Sequence, residues 1–263
     1  MKKLRRVRTR RQLLRGTAVG AASIPFLVLA RKSASAKDNG GGHHHHHHGL
    51  GCFLKITKIS TPSGERLVEE LQIGDEVLTL SGRKSIKWIG YSKFTKEEGR
   101  AWQDHIMPVR VARFAIDDHA PHRDLYLSPR HYIYFNEALI QVQCLINETS
   151  IAQCLPSDMP AIEYYHIDLG THEVIYAEGA LVDSYFDDGS NRETFSNFVQ
   201  YERLYGAEHQ SKMTPFAPML GYNNGLKELK GLVRSLVSNV VDVRDPIQIA
   251  YDQIAKRAEA VLV

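Results

Sequence analysis

Between Cys52 and Phe186 the chain repeats short apolar or alternating runs, and almost every one stops at a turn residue. The runs are Phe53–Ile59, Glu76–Leu80, Ile86–Ile89, Val109–Phe114, Leu125–Leu127, Tyr132–Phe135, Leu139–Ile146, Ile162–Leu169 and Val174–Ala177. Pro62-Ser63-Gly64, Gly74-Asp75, Ser81-Gly82, Ser128-Pro129, Asn147 and Gly170 punctuate them. An amphipathic helix needs about ten or more residues to present an apolar stripe, and these runs are too short. The pattern therefore predicts a mainly β fold, one compact all-β domain over residues 52–186.

The tail, 187–263, changes character. Asn223-Asn224-Gly225 precedes Leu226, Leu229, Leu232, Val233, Leu236, Val237 and Val240 at helical spacing. Asp245-Pro246 is an N-cap and first-turn pair for a second helix, whose apolar face runs Ile247, Ala250, Ile254, Ala258, Val261. A small α-helical C-terminal extension is expected, packed on the β domain or on itself.

The net charge of +3 conceals a division. Residues 1–36 carry ten Lys/Arg and no acid, leaving 23 bases against 30 acids, about −7, in the remainder. No nucleic-acid surface is expected there. The basic end reads as an export signal: Thr9-Arg10-Arg11-Gln12-Leu13-Leu14-Arg15 is similar to the twin-arginine consensus. An apolar run from Gly16 to Ala30 follows, and Ala34-Ser35-Ala36 offers cleavage after Ala36. Fifteen residues rising 1.5 Å each reach only about 22 Å, short of a roughly 30 Å bilayer core. No stable membrane span is expected after signal removal, and the mature chain is expected in the periplasm or outside the cell. Residues 37–51 form a flexible linker. Its six histidines, His43, His44, His45, His46, His47 and His48, read as an added purification tag, the alternative being a native metal-binding tract. No other metal site and no cofactor is expected.

Three cysteines, Cys52, Cys144 and Cys154, make an odd count for an exported chain. Cys144 and Cys154 are spaced to pair across a turn. The alternation of Gln141-Val142-Gln143-Cys144-Leu145-Ile146 instead favours small half-buried hydrophobes.

Cys52 stands apart. Gly51-Cys52-Phe53 is followed by Ile59-Ser60-Thr61-Pro62-Ser63-Gly64-Glu65 and then Val68-Glu69-Glu70-Leu71-Gln72-Ile73-Gly74-Asp75-Glu76-Val77. Downstream come Leu125-Tyr126-Leu127-Ser128-Pro129-Arg130-His131, then Tyr165-His166-Ile167-Asp168-Leu169, His172-Glu173-Val174-Ile175 and Ala177-Glu178-Gly179-Ala180-Leu181-Val182-Asp183-Ser184-Tyr185. These three ordered blocks resemble the opening, Thr-x-x-His and closing blocks of the Hedgehog/intein (Hint) domain family. The resemblance extends through Ser190-Asn191-Arg192 and weakly to the C-terminus, as in a bacterial subgroup with a C-terminal extension. It implies a Hint-type β horseshoe and self-processing at Gly51–Cys52. Cys52 is the implied nucleophile, His131 the acid or amide-twisting group, and Ser128 a hydrogen-bonding partner of the same peptide. His166 and His172 fall at supporting positions.

The chemistry is reasonable on its own terms. A thiol immediately after a carbonyl attacks it through a five-membered ring, an intramolecular step. Gly51 offers no Cβ to hinder approach, and a histidine near neutrality suits protonation of the departing nitrogen. The result is an N-to-S acyl shift and a thioester, passed to water or to an acceptor nucleophile or protein of unknown identity. This is a single-turnover reaction of the chain on itself. Splicing is not expected, because Val182-Asp183-Ser184-Tyr185 lacks the Asn that would cut a downstream bond. The alternative is a silent Hint scaffold serving as a periplasmic partner-binding or accessory module. Ser128-Pro129-Arg130-His131 also reads as an ordinary turn, and His166 as a core or cross-strand histidine.

Overall fold

The computed structural model of the chain describes residues 51–156, 159–189, 192–206, 212–221 and 245–261. The expected signal segment with Ala36, the His43–His48 tract and the apolar run Leu226–Val240 lie outside the described residues.

The described part is mainly β. It opens with β1 (Phe53–Leu54), β2 (Lys58–Thr61), β3 (Gly64–Leu67), β4 (Glu76–Thr79), β5 (Gly82–Ser85) and β6 (Trp88–Thr95). Then come β7 (Val109–Val111), β8 (Leu125–Leu127), β9 (Tyr132–Phe135), β10 (Ala138–Gln141) and β11 (Ile151–Gln153). β12 (Ala161–Asp168), β13 (Val174–Ala177) and β14 (Ala180–Asp183) precede helix α1 (Phe198–Tyr205), β15 (Met219–Leu220) and helix α2 (Pro246–Val261). One sheet runs β11-β7-β8-β1-β12-β6. The other runs β15-β10-β9-β14-β13-β2-β3, with β4 paired to β13 and β5 to β4.

The expected run Phe53–Ile59 splits in two. Ile56 adopts a φ of 82°, its N–H donating to Glu69 Oε2 at 3.0 Å, while Thr57 turns back on the Leu54 carbonyl through its hydroxyl at 2.7 Å. Such a φ is costly for a β-branched residue; here it sends β1 into one sheet and β2 into the other. The run Leu139–Ile146 also changes form: the strand ends at Gln141 and Val142–Leu145 coils into a 3₁₀ turn. β3 and β5 escape the apolar pattern because Gly-Glu-Arg-Leu and Gly-Arg-Lys-Ser are largely exposed and only complete hairpins.

Alternation along β1 divides the interior. Phe53 enters one core with Ile59, Leu127, Ile133, Ile167 and Val182, whereas Cys52 and Leu54 enter a second with Trp88, Tyr164, Tyr185, Phe195 and Tyr201. The helical tail is joined to both. On α2, Ala250, Ile254 and Ala258 are buried as the sequence expects, and Asp245 Oδ1 caps the Ile247 N–H at 3.0 Å. Helix α1 has no counterpart in the sequence reading; its Tyr201 ring packs on Trp88 at 5.3 Å. Between the strands and α1, Arg192 is buried between Asp168, at 2.7 Å, and Asp187, under the Tyr201 ring at 4.3 Å. None of the three cysteines is disulfide-bonded: Cys144 and Cys154, both half-buried, form no bridge. Among the described residues no helix is long and apolar enough to cross a membrane.

Candidate active site

β1 lies between β8 and β12, with Phe53 opposite Leu127 on one side and Tyr165 on the other. That placement delivers Cys52 to the end of β8, where Ser128 follows. The two residues exchange hydrogen bonds: the Cys52 N–H donates to Ser128 Oγ at 2.7 Å, and the Ser128 N–H donates to the Cys52 carbonyl at 2.9 Å. Ser128-Pro129-Arg130-His131 is indeed a turn, closed by the His131 N–H on the Ser128 carbonyl at 3.0 Å. That turn swings His131 against the preceding peptide. A Cβ on Gly51 would lie 3.0 Å from His131 Cα and 3.5 Å from the Arg130 carbonyl oxygen. Gly51 is thus required by close backbone approach, and the turn reading and the site reading hold together.

The His131 ring is fully buried, edge-on to Phe53 at 4.4 Å and 5.6 Å from the His166 ring. Its Nε2 is 3.2 Å from Asp183 Oδ1, yet neither ring nitrogen has an aligned hydrogen bond. The carboxylate thus stands beside a ring that would be charged only on taking up a proton. Asp183 ends β14, is itself buried, and accepts the Tyr132 N–H at 3.0 Å. Its other oxygen faces His172 Nε2 at 3.5 Å, again without an aligned hydrogen bond. His172 Nδ1 accepts the Phe216 N–H at 3.2 Å, which leaves its proton on Nε2, towards Asp183. His166 is cross-strand to Gly90 and is surrounded by Tyr185, Phe195, Phe53 and His131.

Burial sets the protonation states. It pushes the Cys52 thiol well above its ordinary range, and the Asp183 charge adds to this. It lowers His131 against the opposing pull of Asp183 and the Cys52 backbone. His166 is pulled down to about 3 by burial and then by its neighbour His131. Burial would raise Asp183, but His131, then His172 and His166, outweigh it and hold the carboxyl below its usual value. At neutral pH the pocket therefore holds a protonated thiol, neutral His131 and His166, and one carboxylate.

All the expected site residues meet here: Gly51, Cys52, Ser128 and His131 in contact, His166 and His172 around them. Asp183, in the closing block, is the member of the site to which the sequence assigns no role of its own. Its signal was a lone acid finishing the apolar strand Ala180-Leu181-Val182, a position that burial forces to take a partner.

A cysteine-headed β domain that folds a Ser-x-x-His turn onto the peptide before the cysteine defines a self-processing class. The chain belongs to the Hint domain family, whose model matches residues 51–189. It is similar in structure to a gp41-1 intein (15% identity, 50% of this chain and 98% of that one, TM-score 0.34). It is also similar to a DnaB intein from Synechocystis (10%, 51% and 99%, 0.36) and to a bacterial intein-like domain from Clostridium thermocellum (11%, 51% and 98%, 0.35). No curated protein sequence matches the chain.

Proposed function

We propose that the chain processes itself once at Gly51–Cys52. The Cys52 sulfur adds to the Gly51 carbonyl carbon while its proton passes to His131. The C–N bond then breaks, and the nitrogen of residue 52 takes that proton back. The products are a free amine on residue 52 and a thioester joining Gly51 to Cys52 Sγ, a rearrangement that is balanced without oxidant or cofactor. Water or another nucleophile then releases the upstream segment with a carboxyl or a new bond at Gly51.

The reading rests on one observation: the turn that carries His131 packs its backbone on Gly51, beside the candidate bond, with the Asp183 carboxylate 3.2 Å from the buried His131 Nε2. Ser128 holds the leaving N–H in place, and Asp183 favours the imidazolium formed in transit, as a carboxylate does behind a catalytic histidine. His172 and the Tyr132 N–H fix Asp183; His166 supplies an uncharged wall.

Export by the twin-arginine route belongs to the same proposal. It is supported by Arg10-Arg11, the apolar run and Ala34-Ser35-Ala36, and a domain without disulfides suits folding in the reducing cytoplasm. One observation favours the second reading, a silent scaffold that binds a partner: Cys52 is only 4% exposed and its thiolate is suppressed.

Intact mass with and without dithiothreitol or hydroxylamine, beside Cys52→Ala, decides between them. Reagent-dependent loss of everything up to Gly51, absent from Cys52→Ala, is the expected result. Wild type that stays full length in both reagents leaves only the scaffold.

A further inference from the structure

The second cluster of ionisable groups lies at the opposite end of the β13–β14 hairpin from Asp183. Glu178 and Gly179 form its two-residue turn, with φ of 48° and 82°, the positive pair of a type I′ hairpin. A glutamate is an unusual choice there. Its backbone N–H donates to the Lys58 carbonyl at 2.9 Å, its carbonyl accepts the His122 N–H at 2.8 Å, and its Oε1 accepts the Lys58 N–H at 2.8 Å. Oε2 remains. It is buried without a hydrogen bond, on a side chain only 4% exposed, and it points at His122 Nε2 from 3.4 Å. Glu65 Oε1, from β3, approaches the same nitrogen to 3.3 Å.

Neither distance is that of a charge-assisted hydrogen bond, which closes to about 2.7–2.9 Å. They do match the edge of a coordination tetrahedron: bonds of about 2.0–2.1 Å at the tetrahedral angle separate neighbouring ligand atoms by about 3.3–3.4 Å. The three atoms all lie within 4.8 Å of one another. Two carboxylates, one deeply buried, crowd a single imidazole nitrogen, and burial together with Glu65 pushes Glu178 up. A dication would relieve this arrangement. Glu65 and His122 are 30% and 37% exposed, which leaves an entry path and a fourth position for water. Gly179 makes room, since a Cβ there would sit 2.8 Å from His122 Nδ1.

We propose that Glu65, His122 and Glu178 bind one zinc-class divalent cation, which staples the β2–β3 hairpin, the loop between β7 and β8, and the β13–β14 turn. The site is separate from Cys52 and independent of any processing there.

The test uses the full chain with His43–His48 replaced by alanine, so that the tract does not compete, titrated with Zn²⁺ alone and with Co²⁺ for its spectrum. One saturable equivalent, a tetrahedral Co²⁺ spectrum and a Tm rise of roughly 5–10 °C at a hundredfold excess over Kd are expected. His122→Ala and Glu65→Gln should each weaken binding at least about tenfold. Cys52→Ala should leave it unchanged. Glu65→Gln alters a part-exposed position, so its result does not depend on a folding defect. The proposal is overturned by no saturable binding below roughly millimolar Zn²⁺. It is equally overturned by binding that survives both ligand variants or disappears with Cys52→Ala.

Discussion

Replacing Asp183 by asparagine removes the one negative charge of the active pocket and little else. Asparagine is nearly the same size and keeps an acceptor for the Tyr132 N–H, now at 3.0 Å. What changes is the stability of a proton on His131. At 3.2 Å and an effective dielectric of about 20, the carboxylate and an imidazolium attract by about 5 kcal/mol before other costs. The cost of holding Asp183 ionised in the interior is already met in the ground state, so much of that attraction is realised only as the proton arrives. Incomplete alignment of the pair reduces it. A loss of roughly 3–5 kcal/mol in the transition state follows, a rate lower by about 10²–10⁴-fold. The assay is the rate at which processed chain appears by intact mass under saturating dithiothreitol, with a thermal melt of each protein. A rate within about threefold of wild type, under 1 kcal/mol, in a folded variant would refute the role given to Asp183.

Two further outcomes concern stability. Arg192→Met should cost about 3–5 kcal/mol in urea unfolding, because it leaves Asp168 and Asp187 buried without a counter-charge; a loss below about 1 kcal/mol would show that the arginine is dispensable. Acidification should destabilise the fold from below about pH 6.5, since the unfolded chain takes up protons that buried His131 and His166 refuse, and further below about pH 4, where Asp183 gives up its lowered pKa. His166→Phe, at home among aromatic rings, should flatten the slope between about pH 6 and pH 4 by up to about 1.4 kcal/mol per pH unit; an unchanged slope would mean His166 is protonated in the folded state.

Much of this was legible before any coordinates. Leu125–Leu127, Tyr132–Phe135 and Val174–Ala177 are strands from end to end because their apolar residues have buried faces to meet. Asp245-Pro246 marked the start of α2 because a cap is a local device. What escaped was non-local. The break at Ile56 depends on Glu69 reaching back to its N–H, and no periodicity encodes that. α1 is too short, at eight residues, for its helical spacing to stand out, and it is held by Tyr201 on Trp88. Asp183 is visible in sequence only as an acid in an apolar run; its meaning comes from the register that sets Val182 beside Ile133 and so brings β14 against the strand after His131.

That register also bears on how so reluctant a thiol would act as the attacking group in the proposed rearrangement. A free thiolate at Cys52 would be a second negative charge beside Asp183 in a dry pocket, and both burial and Asp183 oppose it. The alternatives for the proton are few. Asp183 is held in its ionised form by the histidines around it. His172 Nδ1 is taken by the Phe216 N–H, and burial makes His166 a weak base. Of the imidazoles facing Asp183, His131 is the nearer, at 3.2 Å against 3.5 Å for His172, so the carboxylate best balances a charge gained there. In the proposed rearrangement the thiol would not ionise in advance; it would lose its proton only as the new carbon–sulfur bond takes up the sulfur electron pair. Under that proposal, suppressing the resting thiolate would keep the group inert towards outside electrophiles, while the Gly51 carbonyl, adjacent in the chain, is reached through a five-membered ring.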